Sequence, residues 1–297
     1  MFEAVDSSYL VPFTGDFQLG ERATRPPSGA DEEEPNRARL KEDKRELRAL
    51  QKILYAHDHH AVLLVFQAMD AAGKDGTIRA VLGGLDPTGL NVSSFKVPTR
   101  VELEHDFLWR TSLRLPERGE IGVFNRSYYE EVLVVRVHPG LLEPQRLVRD
   151  VPREELWEER MDSIRDHERH LARNGTLILK FFLNVSRDEQ RRRFLDRLNE
   201  PGKWWKFRPG DVDERLHWAK YMAAYEQALR ATSRPWAPWS AIPADDKPYM
   251  RRAVADILVR SLRTLNLRYP EVRPEDEVRF TELRRLLEED TEGRDQG

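Results

Sequence analysis

The sequence contains no cysteine among its 297 residues. Disulfide bonds, thiolate metal sites and a cysteine nucleophile are therefore excluded as sources of stability or chemistry. The absence of cysteine also suits a reducing compartment. The first residues, MFEAVDSSYLVPF, have neither the basic region nor the long apolar run of a secretory signal. We therefore expect a cytoplasmic protein.

Long apolar runs and an excess of positive charge are missing too. No run approaches the roughly 20 apolar residues that cross a bilayer. The formal net charge is −3, so a simple nucleic-acid-coating protein is excluded, although 49 Lys and Arg residues allow a local basic channel. We expect neither a membrane nor nucleic acid as a partner. Because 39% of the residues are apolar, the chain can bury the core of one large α/β domain or two modest ones.

Apolar runs alternate with helical stretches along the chain. The continuous run at 61–66 is typical of a parallel strand that is covered on both faces. Further strands are predicted at 91–97, 121–124, 176–185 and 239–242. After a charged helix that begins near Pro35, helices are predicted at 76–84, 101–110, 126–135, 152–173, 186–199, 211–231 and 247–267. This alternation predicts an α/β fold of three layers, with a parallel sheet and helices on both faces.

Composition divides the chain into three parts. Residues 1–36 are interpreted as an irregular N-terminal arm, because RPPSGADEEEP is rich in proline, glycine and acidic residues. Residues 37–269 form the predicted main domain. Residues 270–297 form a charged C-terminal tail with a last helix at 275–289 and the end TEGRDQG.

The loop AMDAAGKDG, which follows the first predicted strand, carries the strongest chemical signal. It nearly fits the phosphate-loop pattern G-x-x-x-x-G-K-[ST], with Gly73 and Lys74 in place. Small residues let backbone N–H groups approach phosphate oxygens, and Lys74 supplies a point charge. Residues 76–78 begin a helix whose N-terminus attracts anions. The predicted phosphate-binding positions of the loop are Ala71, Ala72, Gly73, Asp75, Gly76 and Thr77.

Two positions depart from that pattern. Ala68 replaces the first glycine, and Asp75 replaces the serine or threonine that normally holds magnesium. Asp70 is then the candidate metal ligand, because magnesium prefers hard carboxylate oxygens. The alternative is a plain strand, turn and helix with incidental charges.

A second polar group, NRSYYEE at 125–131, follows the strand IGVF. Asn125 is predicted to orient a metal-bound water, and Arg126 to reach phosphate groups. The alternative is that Asn125 only caps the next helix. Asp245, Asp246 and Lys247 follow the last predicted strand at the same sheet edge and are secondary candidates.

The segment RRRFLDRLNEPGKWWKF is predicted to form a lid. Arg193 and Arg197 are four residues apart and share one helix face. Lys203 and Lys206 flank two tryptophans in a loop with proline and glycine. The pattern is similar to the arginine-bearing lid of nucleotide kinases, which closes over the phosphate donor and excludes water. The residues of this segment that are predicted to bind phosphate are Arg193, Arg197, Lys203 and Lys206. The alternative is a basic solvated helix with an aromatic cover.

Taken together, these segments resemble the polyphosphate kinase 2 family over about residues 37–267. The resemblance is carried by MDAAGKDG at 69–76, LDPTGLNVSSFKVPT at 85–99, FNRSYYEEVLVVRVHP at 124–139, RRRFLDRLNEPGKWWKF at 191–207 and WAPWSAIPADDK at 236–247. It implies a thymidylate-kinase-like P-loop kinase core with a helical lid at about 190–217. It also implies phosphoryl transfer between inorganic polyphosphate and adenine nucleotides that depends on Mg²⁺, with Mn²⁺ as the alternative, and a homo-oligomer, expected to be a tetramer.

The resemblance also implies roles for single residues. Asp70 and Lys74 match the essential loop aspartate and lysine of the family, and Asn125 stands where the family often has aspartate. The stretch FNRSYYEEVLVVRVHP resembles the class III subgroup, which accepts both AMP and ADP. Glu130 matches an acidic residue that this subgroup places near the nucleotide, and Glu130 and Asn125 are the predicted nucleotide-binding residues.

We therefore expect transfer of a phosphoryl group from polyphosphate to AMP and ADP, with Asp70, Lys74, Arg126 and Asn125 as the catalytic residues. One alternative is an ATP-dependent nucleoside monophosphate kinase, which the missing serine or threonine after Lys74 disfavours. Another is a non-catalytic polyphosphate-binding protein, for which salt-sensitive binding without a nucleotide product is expected.

Overall fold

Five parallel strands form the central sheet of the computed structural model, which describes residues 2–292. The strands are β1 Ala61–Gln67, β2 Leu90–Ser94, β3 Ile121–Asn125, β4 Thr176–Asn184 and β5 Trp239–Pro243, in the order β2-β3-β1-β4-β5. The predicted α/β fold with a parallel sheet is confirmed. The chain leaves β1 toward β2 on one side and leaves β3 toward β4 on the other. The crevice at the carboxyl ends of β1 and β3 is therefore the place where such sheets bind ligands.

Eleven α-helices are present in the described residues. They are α1 Glu33–His57, α2 Lys74–Leu82, α3 Arg100–Leu103, α4 Trp109–Ser112, α5 Val134–Val137, α6 Arg153–Arg173, α7 Arg187–Asn199, α8 Gly210–Leu216, α9 Trp218–Thr232, α10 Lys247–Arg263 and α11 Pro274–Glu292. Short 3-10 helices span Leu19–Glu21, Pro87–Gly89, Tyr128–Val132, Pro139–Gln145 and Pro201–Lys206. None of the helices within 2–292 is long and apolar enough to cross a membrane.

Helices cover both faces of the sheet. On one face α1, α2 and α10 pack together, and on the other α6 packs against α9 and α5 packs against α9. All seven residues of β1 are buried between these layers. Each Val, Leu or Phe side chain that is fully buried contributes about 1.5–3 kcal/mol to folding, so burial on both faces holds the central strand firmly in place. The loop that resembles a phosphate-binding loop follows directly after this strand.

Three predicted helices differ from the structure. The predicted helix 101–110 is two short helices, α3 and α4, because the Asp106 carboxylate accepts the N–H of Leu108 in a local turn that competes with the helix. The predicted helix 126–135 begins late, because Arg126 has a φ of 64° and Ser127 is extended. The predicted helix 211–231 is divided at His217 into α8 and α9.

The arm is irregular over its described residues, apart from the 3-10 helix Leu19–Glu21 and residues 33–36, which form the start of α1. It lies against the sheet: Leu10 forms an isolated antiparallel bridge with Ser240 of β5, and the N–H of Val11 donates to Trp239 O at 2.9 Å. Val11 and Phe17 are buried. The composition typical of a solvated linker therefore describes only part of this segment.

The chain separates into two units, at residues 1–267 and 268–297. The second unit contains α11, which spans the helix predicted at 275–289. Residues 293–297 of the predicted tail lie outside the described residues.

Candidate active site

The loop between β1 and α2 has an unusual backbone. Gly73, the N-cap of α2, has a φ of 108°, and Ala71 has a φ of 60°. A side chain at position 73 would be strained at this φ, and its Cβ would lie 3.3 Å from Met250 Cε. Ala71 holds a conformation that disfavours residues with a Cβ, and such local strain is concentrated at functional sites. The loop therefore curls tightly over the carboxyl end of β1.

Lys74 closes this curl from inside. Its Nζ donates to Ala68 O at 2.8 Å and to Met69 O at 3.4 Å, and the side chain is buried. Burial, and after it the charge of Arg126, lower the pKa of Lys74 to about 8, while Asp70 acts in the opposite direction. An ammonium group has three N–H donors, so Lys74 can hold the loop carbonyls and still donate to an anion.

Arg126 joins the loop after β1 to the turn after β3. Its backbone N–H donates to Phe66 O at 3.1 Å, which ties the turn to β1. Its Nη2 donates to Asp70 Oδ1 at 2.6 Å and its Nη1 to Glu130 Oε2 at 2.9 Å. The attraction of Glu130 is the largest cause that raises the pKa of Arg126, which therefore stays charged. Gln67 fixes the other oxygen of Glu130, with Nε2 at 3.1 Å from Oε1. The structure thus brings together Asp70, Arg126 and Glu130, because β1 and β3 are neighbours in the sheet.

Asn125 has a partner that sequence reasoning did not include. Its Nδ2 donates to Asp75 Oδ1 across the crevice between β3 and the start of α2. The amide therefore orients the Asp75 carboxylate, and the predicted action of Asn125 on a metal-bound water stays a prediction.

The turn that carries Arg126 is anchored from below by a buried ion pair. Lys180 Nζ lies 2.6 Å from Glu168 Oε2. The hydroxyl groups of Tyr128 and Tyr129 both donate to Glu168 Oε1, at 2.9 and 2.8 Å. Burial lowers the pKa of Lys180 to about 8, against the opposing effect of Glu168. Because every polar group of this cluster has a partner, it can hold the turn rigidly.

The lid segment comprises α7, the following 3-10 helix and α8. In this segment Arg193 is buried, with a side chain only 5% exposed. All five of its N–H groups are used within the protein. Nε donates to Glu189 Oε1, Nη1 to the carbonyls of Ala71 and Ala72, and Nη2 to those of Ala244 and Asp245. Arg193 therefore holds the loop backbone and keeps no free donor for the phosphate that was predicted to bind it.

The other predicted lid residues contact the lid itself. Arg197 Nη1 donates to Lys206 O at 3.2 Å and lies 3.6 Å from Asp211 Oδ2. Lys203 pairs with Glu200, and Lys206 Nζ lies 4.8 Å from the centre of the Trp205 ring. These cations hold the lid together in the structure.

Sequence reasoning missed two residues at the site. Gln190, which is buried, donates from Nε2 to Asp70 O at 2.9 Å. Tyr225 is buried beside the arginine bridge, where burial and then the charge of Glu130 raise its pKa well above the ordinary value. Gln190 is hidden in the charged run RDEQRRR, and Tyr225 has the spacing of an ordinary core aromatic.

The donor set fits a divalent cation that is shared with phosphate. Among residues 2–292 no group of three or more His, Cys, Asp or Glu side chains could hold a metal ion. The site instead offers carboxylate oxygens of Asp70 and Asp75 beside the phosphate-like loop. Mg²⁺ is usually bound by one or two carboxylates, with water and substrate phosphate completing the shell. A magnesium site that is completed by substrate phosphate therefore requires only few protein ligands.

Comparison with known proteins gives consistent matches. The family model described as polyphosphate kinase 2 (PPK2) matches residues 30–270. An ADP-polyphosphate phosphotransferase of Rhodopseudomonas palustris is 53% identical over 243 residues, which cover 80% of this chain and 83% of that protein. An AMP/ADP-polyphosphate phosphotransferase of Meiothermus ruber is 50% identical over 227 residues, which cover 76% and 81%. The crystal structure of polyphosphate kinase 2 from Arthrobacter aurescens superposes with a TM-score of 0.82 at 36% identity, covering 94% of this chain and 99% of that one.

Proposed function

The chain belongs to the polyphosphate kinase 2 family, and we propose that it transfers the terminal phosphoryl group of inorganic polyphosphate to AMP and to ADP. It is a polyphosphate-dependent nucleotide kinase with a P-loop-kinase-like α/β fold, similar to class III. The relatives named above act on ADP, or on AMP and ADP. The observation that carries the proposal is the bridge from Asp70 through Arg126 to Glu130, beside Lys74 at the sheet crevice.

The reaction needs positioning and charge neutralisation rather than a protein nucleophile. An oxygen of the acceptor nucleotide's terminal phosphate attacks the last phosphorus of polyphosphate in line. The bond from that phosphorus to its bridging oxygen breaks, and the shortened polyphosphate leaves with the electron pair. Lys74 and Arg126 attract the phosphate oxygens on which charge accumulates. The loop N–H groups at 71–77 hold the donor chain in place.

Kinases of this family generally require a divalent metal ion. We propose Mg²⁺, with Mn²⁺ as the alternative, held by Asp70 together with phosphate oxygens and with Asn125 acting through water. When bound, the ion would offset part of the negative charge of the phosphates. Asn125 also keeps the Asp75 carboxylate oriented at the same place.

Glu130 is the proposed contact to the nucleotide. Its neighbour Glu131 borders a cavity of about 180 Å³ between the segment around α3 and α4 and helix α6. Phe107 offers that cavity an apolar wall, and Arg160, which is fixed on Glu131 at 3.2 Å, offers a polar one. We propose that the nucleoside occupies this cavity, because it combines an apolar surface with polar groups.

Arg197, Lys203 and Lys206 stay our proposed lid contacts to polyphosphate. They would exchange their present lid partners for phosphate when the lid closes and excludes water. We also propose that the protein forms a homo-oligomer, a tetramer. Light scattering after gel filtration, which measures the molar mass of the assembly, tests this proposal. A cytoplasmic location is proposed on the absence of cysteine.

The test is a comparison of donors. The protein is incubated with AMP and either polyphosphate or GTP, with and without Mg²⁺, and ADP and ATP are measured. We expect product only with polyphosphate and metal. Lys74→Ala is expected to abolish transfer and to keep the wild-type circular dichroism. Product from GTP alone would indicate an ordinary nucleotide kinase, and salt-sensitive polyphosphate binding without product would indicate a binding protein.

A further inference from the structure

Residues 22–25 of the N-terminal arm cross the carboxyl ends of β4 and β5. Asn184, the last residue of β4, donates from Nδ2 to Arg22 O at 3.1 Å and to Ala23 O at 3.2 Å. The backbone N–H of Asp245, just after β5, donates to Thr24 O at 2.9 Å. Because Asn184 is buried, these contacts hold the arm against the edge of the sheet that carries the active site.

Asp245 connects the arm to the lid helix through its two carboxylate oxygens. Oδ2 accepts the hydroxyl of Thr24 at 2.9 Å, and Oδ1 accepts the backbone N–H of Ser186 at 2.7 Å. Ser186 is the N-cap of α7. The side chain of Asp245 is only 8% exposed, whereas Arg25, its neighbour at 3.7 Å, is 83% exposed. The Thr24 hydroxyl is therefore a better shielded partner of the Asp245 carboxylate than the Arg25 guanidinium.

Helix α7 in turn contacts the loop between β1 and α2. Gln190 donates to Asp70 O at 2.9 Å. Arg193 donates to the carbonyls of Ala71 and Ala72 with Nη1 and to Asp245 O with Nη2. A continuous path of hydrogen bonds thus runs from Thr24 through Asp245 and α7 to the loop.

We propose that Thr24 and Asp245 are positioning residues of the kinase, through which the N-terminal arm sets the geometry of the polyphosphate loop and of the start of the lid. The proposal rests on the proposed function and adds a role for a segment that contacts no reacting atom. A shift of a few tenths of an ångström in this loop changes how its N–H groups meet the donor phosphates, and catalysis depends strongly on such placement.

The test uses three variants of the full chain. Thr24→Val removes the hydroxyl and keeps the shape, whereas Thr24→Ser keeps the hydroxyl. Thr14→Val is the matched control, because Thr14 is another threonine of the arm whose hydroxyl, within residues 2–292, accepts one weak hydrogen bond, from Asp16 N at 3.5 Å. Each variant is measured for kcat, for the KM of polyphosphate and of AMP, and for the melting temperature.

For Thr24→Val we expect kcat/KM for polyphosphate to fall roughly tenfold, the factor that corresponds to one hydrogen bond to a charged group. We expect an unchanged KM for AMP and only a small fall in the melting temperature, because Asp245 loses one hydrogen bond while the other contacts of the arm with Asn184 and with the N–H of Asp245 remain. Thr24→Ser is expected to restore activity, and Thr14→Val to match the wild type.

Wild-type rates in Thr24→Val overturn the proposal. So does a loss that Thr24→Ser shares, or one that a lower melting temperature accompanies to the same degree, because either result assigns the contact to folding alone. A wild-type protein that forms no nucleotide product from polyphosphate refutes the proposed function instead, which keeps the two failures distinguishable.

Discussion

The lowered pKa of Lys74 predicts an alkaline limit to polyphosphate use. Burial and the charge of Arg126 bring this pKa to about 8, so Lys74 is protonated at pH 7 and mostly neutral at pH 9. Only the protonated ammonium attracts the donor phosphates. At pH 9 about one molecule in ten keeps that charge, so kcat/KM for polyphosphate should fall about tenfold, equal to about 1.4 kcal/mol of lost interaction. The profile of kcat/KM reports the free enzyme, which is the state that the structure describes.

The cause of the shift supplies the decisive variant. In Arg126→Gln the nearby positive charge is gone, while Asp70 and Glu130, which raise the pKa of Lys74, remain. The alkaline limb should therefore move to higher pH, although the absolute rate falls. Initial rates of ATP formation from ADP and polyphosphate, measured from pH 6 to 10 at fixed ionic strength, give the alkaline limb of the wild type and that of the variant.

Lys180 has a pKa of about 8 as well, so it needs its own control. Arg234 lowers the pKa of Lys180 and is not among the groups that act on Lys74. Arg234→Gln should therefore leave the activity limb at the wild-type pH. A profile without a limb between pH 7 and 10, or a limb that Arg126→Gln leaves in place, would refute the role given to Lys74.

Two further variants test the framework beneath the site. Lys180→Met leaves Glu168 buried without its cation, which should lower the free energy of unfolding in urea by about 3–5 kcal/mol. The control Lys41→Met, on the exposed face of α1, should change this free energy by less than about 0.5 kcal/mol. Equal effects of the two variants would contradict the anchoring role of the ion pair. Gly73→Ala should destabilise by more than about 1 kcal/mol and reduce kcat/KM, because its φ is 108° and its Cβ would approach Met250. Gly15→Ala, at a φ of 87° with open space around it, should share only the backbone cost and keep activity; an active Gly73→Ala would show that the curl of the loop is not required.

Local sequence accounts for most of the fold. The run at 61–66 is apolar throughout, and it is the central strand because a parallel strand buried on both faces requires this composition. The helix predictions failed where a local backbone conformation or a side-chain hydrogen bond decided the outcome. Arg126 takes a left-handed conformation and Asp106 forms a turn with its own neighbour, and neither event changes hydrophobic periodicity.

The sequence could also place Asp70, Lys74, Arg126 and Glu130 at the carboxyl edge of one parallel sheet, although only the structure gives the adjacency of β1 and β3 that makes them meet. That Arg193 donates to carbonyl groups of its own chain could not be predicted. An arginine on a basic helix has the same pattern whether it binds a phosphate ligand or five acceptors of its own chain. Its partners Ala72 and Ala244 are 121 and 51 residues away in the sequence.

The amino-acid sequence alone determined the positions of the strands along the chain and the loop of small residues with its lysine and its two aspartates. These features depend on composition and on spacing within a few residues. Only the tertiary structure decided which charges stay free for a substrate and which are used to hold the site. Arg126 bridges two carboxylates, Arg193 holds the loop, and the arm reaches the lid through Asp245. The physical reason is that a hydrogen bond depends on distance in space, and residues far apart in the chain become neighbours only after the sheet has assembled.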